Sequence, residues 1–374
     1  MIFVCDLRER ELIDRIRQRL PPPPAWLLVG IGDDAAVVEP ERNRVEVLSV
    51  DSVVDGVHFD RAFVPPDAIG HRALAVNLSD LAAMGAAPRL AVLSFALPPA
   101  LPLADFDGIA DGLTALASRH RVHIVGGNLT RTPGPLTIDV TVVGTVKRRQ
   151  ALTRSGAKPG DELYVTGTIG AAAAGLAVLR NRSSRESLVE STESLIAIQS
   201  SVVSRESVER PTTNDRLTTS DSVLSTNDSR LVQAYLYPAP RIRIGTLLAR
   251  NRAASACMDL SDGLADAVRQ VADASGVGAT IDGDALPIDP AARARLAASG
   301  RDPVDAAIAG GDDYELLIAA RPRFKRRFAA AMRHADAPLT RIGSCTADRA
   351  VVVARRDEGE LRTSPLPAGY GHFR

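Results

Sequence analysis

The chain has 374 residues, 45 of them lysine or arginine and 45 aspartate or glutamate, so its formal charge is zero and no global basic field for nucleic acid exists. That length suggests two domains rather than one, and an apolar content of 45% is ample for two cores. Lysine occurs only at Lys147, Lys158 and Lys325, and no G-x-x-x-x-G-K-[ST] string exists. A P-loop is therefore excluded, and any bound polyphosphate must be neutralised by metal ions and arginine.

The opening stretch, Met1 to Leu20, carries charges throughout and reads as an amphipathic helix, not a secretory signal. Pro21 to Pro24 end it. The apolar run Trp26 to Val29 reads as a buried strand, after which Gly30 to Phe59 place Asp33, Asp34, Asp51 and Asp55 on glycine-flanked turns and strand ends. Along the strand from Val45 to Asp51, a period of two puts Val45, Val47, Ser49 and Asp51 on one face. Taken singly, each aspartate also suits a turn former or a strand cap. Brought together they would repel, and oxygen ligands without His or Cys favour Mg²⁺.

From Asp67 to Met84 the spacing predicts a helix, with Pro66 ahead and Gly85 as its stop signal. Asn77 and Asp80 share a face of it, and Asp80 lies among apolar residues where an unpartnered carboxylate is costly. A strand at Leu90 to Phe95, a helix around Asp105 to Arg119 and a strand at Val122 to Val125 follow. GGNLTRTPGP is read as a turn, and Leu136 to Val146 as the returning strand of a hairpin. Gly126, Gly127 and Asn128 offer backbone N–H groups that suit either a phosphate or an ordinary turn.

A second unit begins after Gln150. ALTRSGAKPGD carries Arg154, suited to a phosphate clamp or to plain surface exposure. Glu162 to Thr166 reads as a strand, GTIG as a tight turn and Ala171 to Leu179 as a helix; the pattern does not fit G-x-G-x-x-G, so no dinucleotide is inferred. From Asn181 to about Leu231 the composition turns to Ser, Thr, Arg, Glu and Asp, the signature of a solvated, disordered insert, with one short helix considered around Leu188 to Ile198. Order is expected to resume at AYLYPAPRIRIGTLLA. MDLSDGL then repeats the opening grammar: a strand ends at Asp259, and Ser261 and Asp262 fall at a helix N-terminus, as an N-cap or as a phosphate or metal site. AGGDDYELLIAA is the third occurrence, with Asp312 and Asp313 ahead of a strand. A basic helix from Arg323 to Arg333, a strand near Ala350 and the tail GYGHF close the chain. No apolar run approaches a bilayer span, and Cys5, Cys257 and Cys345 are scattered and odd in number, which suits a reducing cytoplasm.

GIGDD, SVDS, GVHF, GHRALAVNLSDLAAMGA, ALTRSGAKPGD, YVTGT, MDLSDGL, GGDDYEL and GYGHF together resemble the thiamine-monophosphate kinase family. The resemblance covers nearly everything outside the insert; NLSDLAAMGA and GYGHF are its most specific parts. It implies an α/β fold with mixed sheets, in two domains like those of aminoimidazole ribonucleotide synthetase. Residues 1–149 would dimerise through their sheet into a homodimer, and residues 150–374 would form the C-terminal half. ATP and several Mg²⁺ ions would lie between the halves of a cytoplasmic enzyme that phosphorylates thiamine monophosphate. By motif, Asp34, Ser49, Asp51, Asp80, Asp259 and Asp262 would be metal ligands, with Val50 giving its carbonyl and Asn128 an amide oxygen. Gly127, Asn128, Arg154 and Ser261 would hold ATP, and His58, Asp312 and Tyr370 would contact the substrate.

Three positions depart from the family pattern: Asn128 and Asp312, where aspartate and glutamate are common, and Val50, often threonine. Two alternatives stay open, another ATP-dependent enzyme of the wider group and an ATP- and Mg²⁺-binding sensor or scaffold. Against the first, no cysteine stands where selenophosphate synthesis or hydrogenase maturation would want one.

Overall fold

A computed structural model describes residues 1–184 and 224–369. The N-terminal stretch forms a short 3₁₀ turn and then α1 (Glu9–Arg17), whose Leu12 and Ile16 are buried on one face, as an amphipathic helix requires. Trp26 to Val29 are not a buried strand. They supply β1 (Leu27–Val29), paired only with β2 (Val37–Val38), and a ribbon of two short strands leaves Leu28 58% exposed.

A four-stranded sheet follows, built from β3 (Arg44–Val54), β4 (Ala87–Leu97), β5 (His123–Arg131) and β6 (Thr137–Lys147), in the order β3-β6-β4-β5. Two expectations are corrected here. GGNLTR is strand, not turn, because the long β4 pairs in parallel with it, Ser94 beside Asn128 and Leu97 beside Arg131, and an edge strand tolerates glycine. Nor does β6 return beside β5: it runs antiparallel between β3 and β4. Ile138, Val140 and Val142 are fully buried there, a requirement that a central position meets and a free hairpin does not.

Helices α2 (Pro66–Ala83) and α3 (Leu103–His120) cover the inner face of this sheet. Pro66 opens α2 and Gly85, at φ +66°, stops it, as the sequence predicts. The two helices touch backbone to backbone. A Cβ at Gly70 would lie 1.8 Å from the Ile109 carbonyl oxygen, and one at Gly112 would lie 1.8 Å from that of Asp67. Among the described residues the outer face has no such cover: Leu48 and Val50 are 65% and 60% exposed.

The rest of the chain builds a seven-stranded sheet from β7 (Glu162–Thr166), β8 (Ala256–Asp259), β9 (Gly278–Asp282), β10 (Leu316–Ala320), β11 (Leu339–Thr346), β12 (Val351–Asp357) and β13 (Glu360–Pro365). Its order is β13-β12-β9-β11-β7-β10-β8, antiparallel except where β12 meets β9. Residues 171–184 form α4, and α5 (Thr226–Leu236), α6 (Ile242–Asn251), α7 (Leu264–Ser275), α8 (Pro290–Ala298), α9 (Pro303–Ala309) and α10 (Lys325–Met332) follow. β10 is buried on both faces, which is why LLIAA reads as a continuous apolar run. Leu316 and Ile318 join the core that contains α2 and α6, while Leu317 and Ala319 join the one that contains α7. One apolar core thus passes from the first sheet's helices into the second sheet.

A helix begins ahead of AYLYPAPRIRIGTLLA, earlier than expected. Ser225 caps α5, accepting a hydrogen bond from Asp228 N at 3.0 Å, and Leu231 and Tyr235 are buried. TNDSR is therefore the first turn of a helix held by the core, not part of an insert. The helix considered at Leu188 to Ile198 lies outside the described residues, as does Tyr370.

Candidate active site

The site is organised by α2. Arg72, Val76 and Asp80 recur at helical spacing, so they form one stripe, and all three line a cavity of about 620 Å³. β3 brings Asp51 and the loop after it brings His58. The opposite walls come from the second sheet: Asp259 at the tip of β8, Ser261 and Asp262 in the following turn, Asp312 and Tyr314 ahead of β10, and Arg154 from the connecting loop.

Ser261 and Asp262 are not helix caps. The residue before α7 is Gly263, at φ +93°, and it makes no side-chain cap. The turn is held instead by the GGDDY loop: Asp312 N donates to Ser261 O at 2.7 Å and Tyr314 N to Leu260 O at 3.2 Å. Two of the sequence's recurring acidic motifs are thus joined backbone to backbone, and Asp259, Ser261, Asp262 and Asp312 of these motifs line the cavity.

Asn77 and Ser79 of α2, and Ser49 of β3, tether the acidic residues. The Asn77 amide oxygen accepts from Asp51 N at 2.9 Å while its amide nitrogen donates to Ala73 O at 3.0 Å. Asp80 accepts from Ser49 Oγ, and Ser79 Oγ donates to Asp259 at 2.8 Å. Asp51 is open to the cavity, yet the protein around it, then Asp80 and Asp262, push its pKa up to about 6. Burial and then the charge of Asp80 push Asp259 up to about 7, against the Ser79 hydrogen bond that favours its ionised form. Burial also raises Asp80, partly offset by Ser49 and Arg154. Arg154 is itself held: its Nη1 donates to Gln270 Oε1 at 2.5 Å, and the Gln270 amide donates to Asp266.

Carboxylates in one cavity, with Asp51 and Asp259 each raised by burial and then by neighbouring carboxylate charge, suit a hard cation, whose charge would remove the repulsion. Among the described residues, no three His, Cys, Asp or Glu side chains close on one point as a complete cage. A hard cation such as Mg²⁺ takes oxygen donors, keeps water and substrate oxygens in its shell, and needs only one or two carboxylates from a protein.

Other expected site residues are not brought to this cavity. Asp34 is exposed on the turn after β1. Val50 and Asn128 are exposed, and strand alternation puts both on the outer face of the four-stranded sheet; Gly127 lies beside Asn128 within β5. His58 lines the cavity, with Nδ1 accepting from Val54 N at 3.1 Å. The structure adds Arg72, Ser79, Tyr235, Gln270 and Tyr314. Arg72 was findable from its helical spacing to Asp80; nothing local marks Gln270.

The family model of AIR synthase related protein matches this chain with its N-terminal domain over residues 32–146 and with its C-terminal domain over residues 158–355. The thiamine-monophosphate kinase of Escherichia coli (strain K12) is 36% identical over 368 residues, 98% of each chain. That of Bacillus subtilis (strain 168) is 30% identical over 347 residues, 92% of this chain and 94% of its own. Among solved structures, the thiamine-monophosphate kinase of Stenotrophomonas maltophilia K279a aligns with a TM-score of 0.74 and 36% identity, covering 95% of this chain and 98% of its own. AaThiL complexed with AMPPCP and TMP aligns at 0.67 and 28%, covering 100% and 99%. With these matches spanning nearly all of its length, the chain belongs to the AIR synthase related family and, within it, to the thiamine-monophosphate kinases.

Proposed function

We propose that this chain transfers the γ-phosphoryl group of ATP to the phosphate of thiamine monophosphate, giving thiamine diphosphate. The observation that carries the reading is the convergence of Asp51, Asp80, Asp259 and Asp262 from both halves on one cavity with Asp312. The acceptor is a phosphate oxygen already anionic at neutral pH, so no general base is required. His58 accordingly has a structural duty at Nδ1 and is assigned no proton transfer.

Asp51, Asp80, Asp259 and Asp262, with Ser49 beside Asp80, would hold Mg²⁺. When bound, Mg²⁺ neutralises the phosphates and polarises the group in transfer. Arg154 and Ser261 would hold ATP, Arg154 by charge-assisted hydrogen bonds to phosphate. His58, Asp312 and Tyr370 would contact the thiamine end. The two facing halves would align acceptor with donor, which is the larger part of the task for two polyanions.

The remaining implied ligands, Asp34, Val50, Gly127 and Asn128, lie outside a single chain's cavity, and a homodimer packed through the outer face of the four-stranded sheet would be the arrangement that employs Val50 and Asn128. Leu48 and Val50 on that face support it. Among the described residues no helix is long and apolar enough to cross a membrane, and a cytoplasmic location is proposed with the scattered cysteines in support.

The test is to incubate the purified chain with ATP, Mg²⁺ and thiamine monophosphate and to follow thiamine diphosphate by chromatography beside a control lacking acceptor. Stoichiometric diphosphate is expected; ATP binding with no diphosphate formed would overturn the reading.

A further inference from the structure

Arg72 stands on α2 just before the apolar run Ala73 to Val76 and is 2% exposed, although its guanidinium reaches the cavity wall. A buried guanidinium is tolerated only where its charge and donors are satisfied. Here Nη2 donates to Asp312 Oδ1, 240 residues away in sequence, and Nη1 donates to the Tyr235 carbonyl at 2.9 Å. The guanidinium also stacks 4.7 Å from the Tyr235 ring centroid and 5.8 Å from that of Tyr314.

Each partner of Arg72 holds something else. Tyr314 Oη donates to the same Asp312 oxygen at 3.2 Å, and Tyr235 Oη donates to the His58 carbonyl at 3.3 Å. Asp312 and Tyr314 both sit at positive φ, +70° and +50°, a conformation that side chains other than glycine adopt only when their surroundings enforce it. One side chain of the first half therefore ties together the helix that carries Tyr235, the loop that carries His58 and the strained loop that carries Asp312.

We infer that Arg72 is a positioning residue for the thiamine monophosphate subsite, acting through Asp312 and Tyr235 and not by touching the substrate. It is 2% exposed, and each of its terminal nitrogens already donates to a protein oxygen. Asp312 Oδ1 is held by Arg72 and Tyr314, which fixes the carboxylate on the cavity wall, where its second oxygen would accept from a donor on the acceptor. Arg72 thereby sets the affinity for the acceptor and leaves the ATP end, where Arg154 and Ser261 lie, unaffected. This inference rests on the reaction proposed above.

The experiment measures KM for ATP and for thiamine monophosphate in the full chain and in Arg72→Met, Arg72→Lys, Asp312→Asn and the Arg72→Met/Asp312→Asn double variant. Arg72→Met is expected to raise KM for thiamine monophosphate by about thirtyfold, the scale of truncating one partner of a buried charge pair, and to leave KM for ATP within about twofold. Arg72→Lys is expected to recover part of the loss. The double variant should lose less than the product of the two single losses, because the Arg72–Asp312 interaction is removed in both single variants.

A folded Arg72→Met with an unchanged acceptor KM overturns the inference. So does a parallel rise in both KM values, or a double variant whose loss is the product of the single ones. Should Arg72→Met not fold, Arg72→Lys and Arg72→Lys/Asp312→Asn carry the same comparison. A wild type that forms no thiamine diphosphate overturns the reaction itself, whereas an active wild type beside an unaffected variant overturns only the positioning role.

Discussion

Asp51 illustrates how much a single side chain owes to its neighbours. Its alternation along β3 was legible from sequence, but the hydrogen bond from its N–H to Asn77, and the charges of Asp80 and Asp262 beside it, belong to other elements. Asp51→Asn is expected to lower turnover by about a hundredfold or more, the scale of removing one preorganised electrostatic group, with circular dichroism unchanged. Near-normal turnover would sink its assignment as a ligand.

His71 provides a residue-scale prediction away from the site. It lies half-buried with Nε2 donating to Pro238 O at 2.9 Å, and burial lowers its pKa from 6.5 despite that bond. The unfolded chain then takes up the proton first as pH falls, so this contribution to stability is present above about pH 6.5 and is lost below it. Urea unfolding at about pH 7.5 and about pH 5.5 should show a smaller loss in His71→Gln than in wild type. An identical loss in both would show that His71 does not couple to folding.

Among the elements, α2 was the best predicted, because its start and stop signals and its spacing are local. Its contacts were not. A Cβ at Gly70 has no room against α3, so Gly70→Ala is expected to cost about 3 kcal/mol or more, read as a lowered denaturant midpoint. Full stability would mean that the helices part without strain.

At α5 the composition misled, since a Ser- and Asp-rich opening turn resembles the segment before it, and only the burial of Leu231, Val232 and Tyr235 reveals the helix. Ser225→Ala should cost about 1 kcal/mol through the lost cap, checked by thermal unfolding. β6 misled in another way: its alternation announced a strand, yet alternation says nothing about which strand lies beside it.

For the whole molecule, the exposed outer face of the first sheet makes the assembly testable. Leu48→Glu is expected to convert a dimer to monomer in light scattering, with the monomer's circular dichroism retained. A wild type that is already monomeric would remove the proposed role for that face. Every residue assigned to the cavity from the described structure lies outside 185–223. Deleting that segment, which spares Ser225 and α5, should leave turnover within about twofold. A folded deletion variant without activity would show that the segment serves the reaction.

What the sequence determined by itself was chemical: abundant aspartates on turns, no P-loop lysine, a helix from Pro66 to Gly85 bearing Asp80, and the motif string that resembles its family. These follow from residue types and short periods, which any stretch of chain carries with it. Tertiary structure alone decided which of those aspartates meet. It brought Asp51, Asp80, Asp259 and Asp262 to one cavity, left Asp34 and Asn128 outside it, set β6 between β3 and β4, and seated Arg72 against Asp312. The reason is that such pairings join segments far apart in the chain, where core packing and strand neighbours outweigh local propensity.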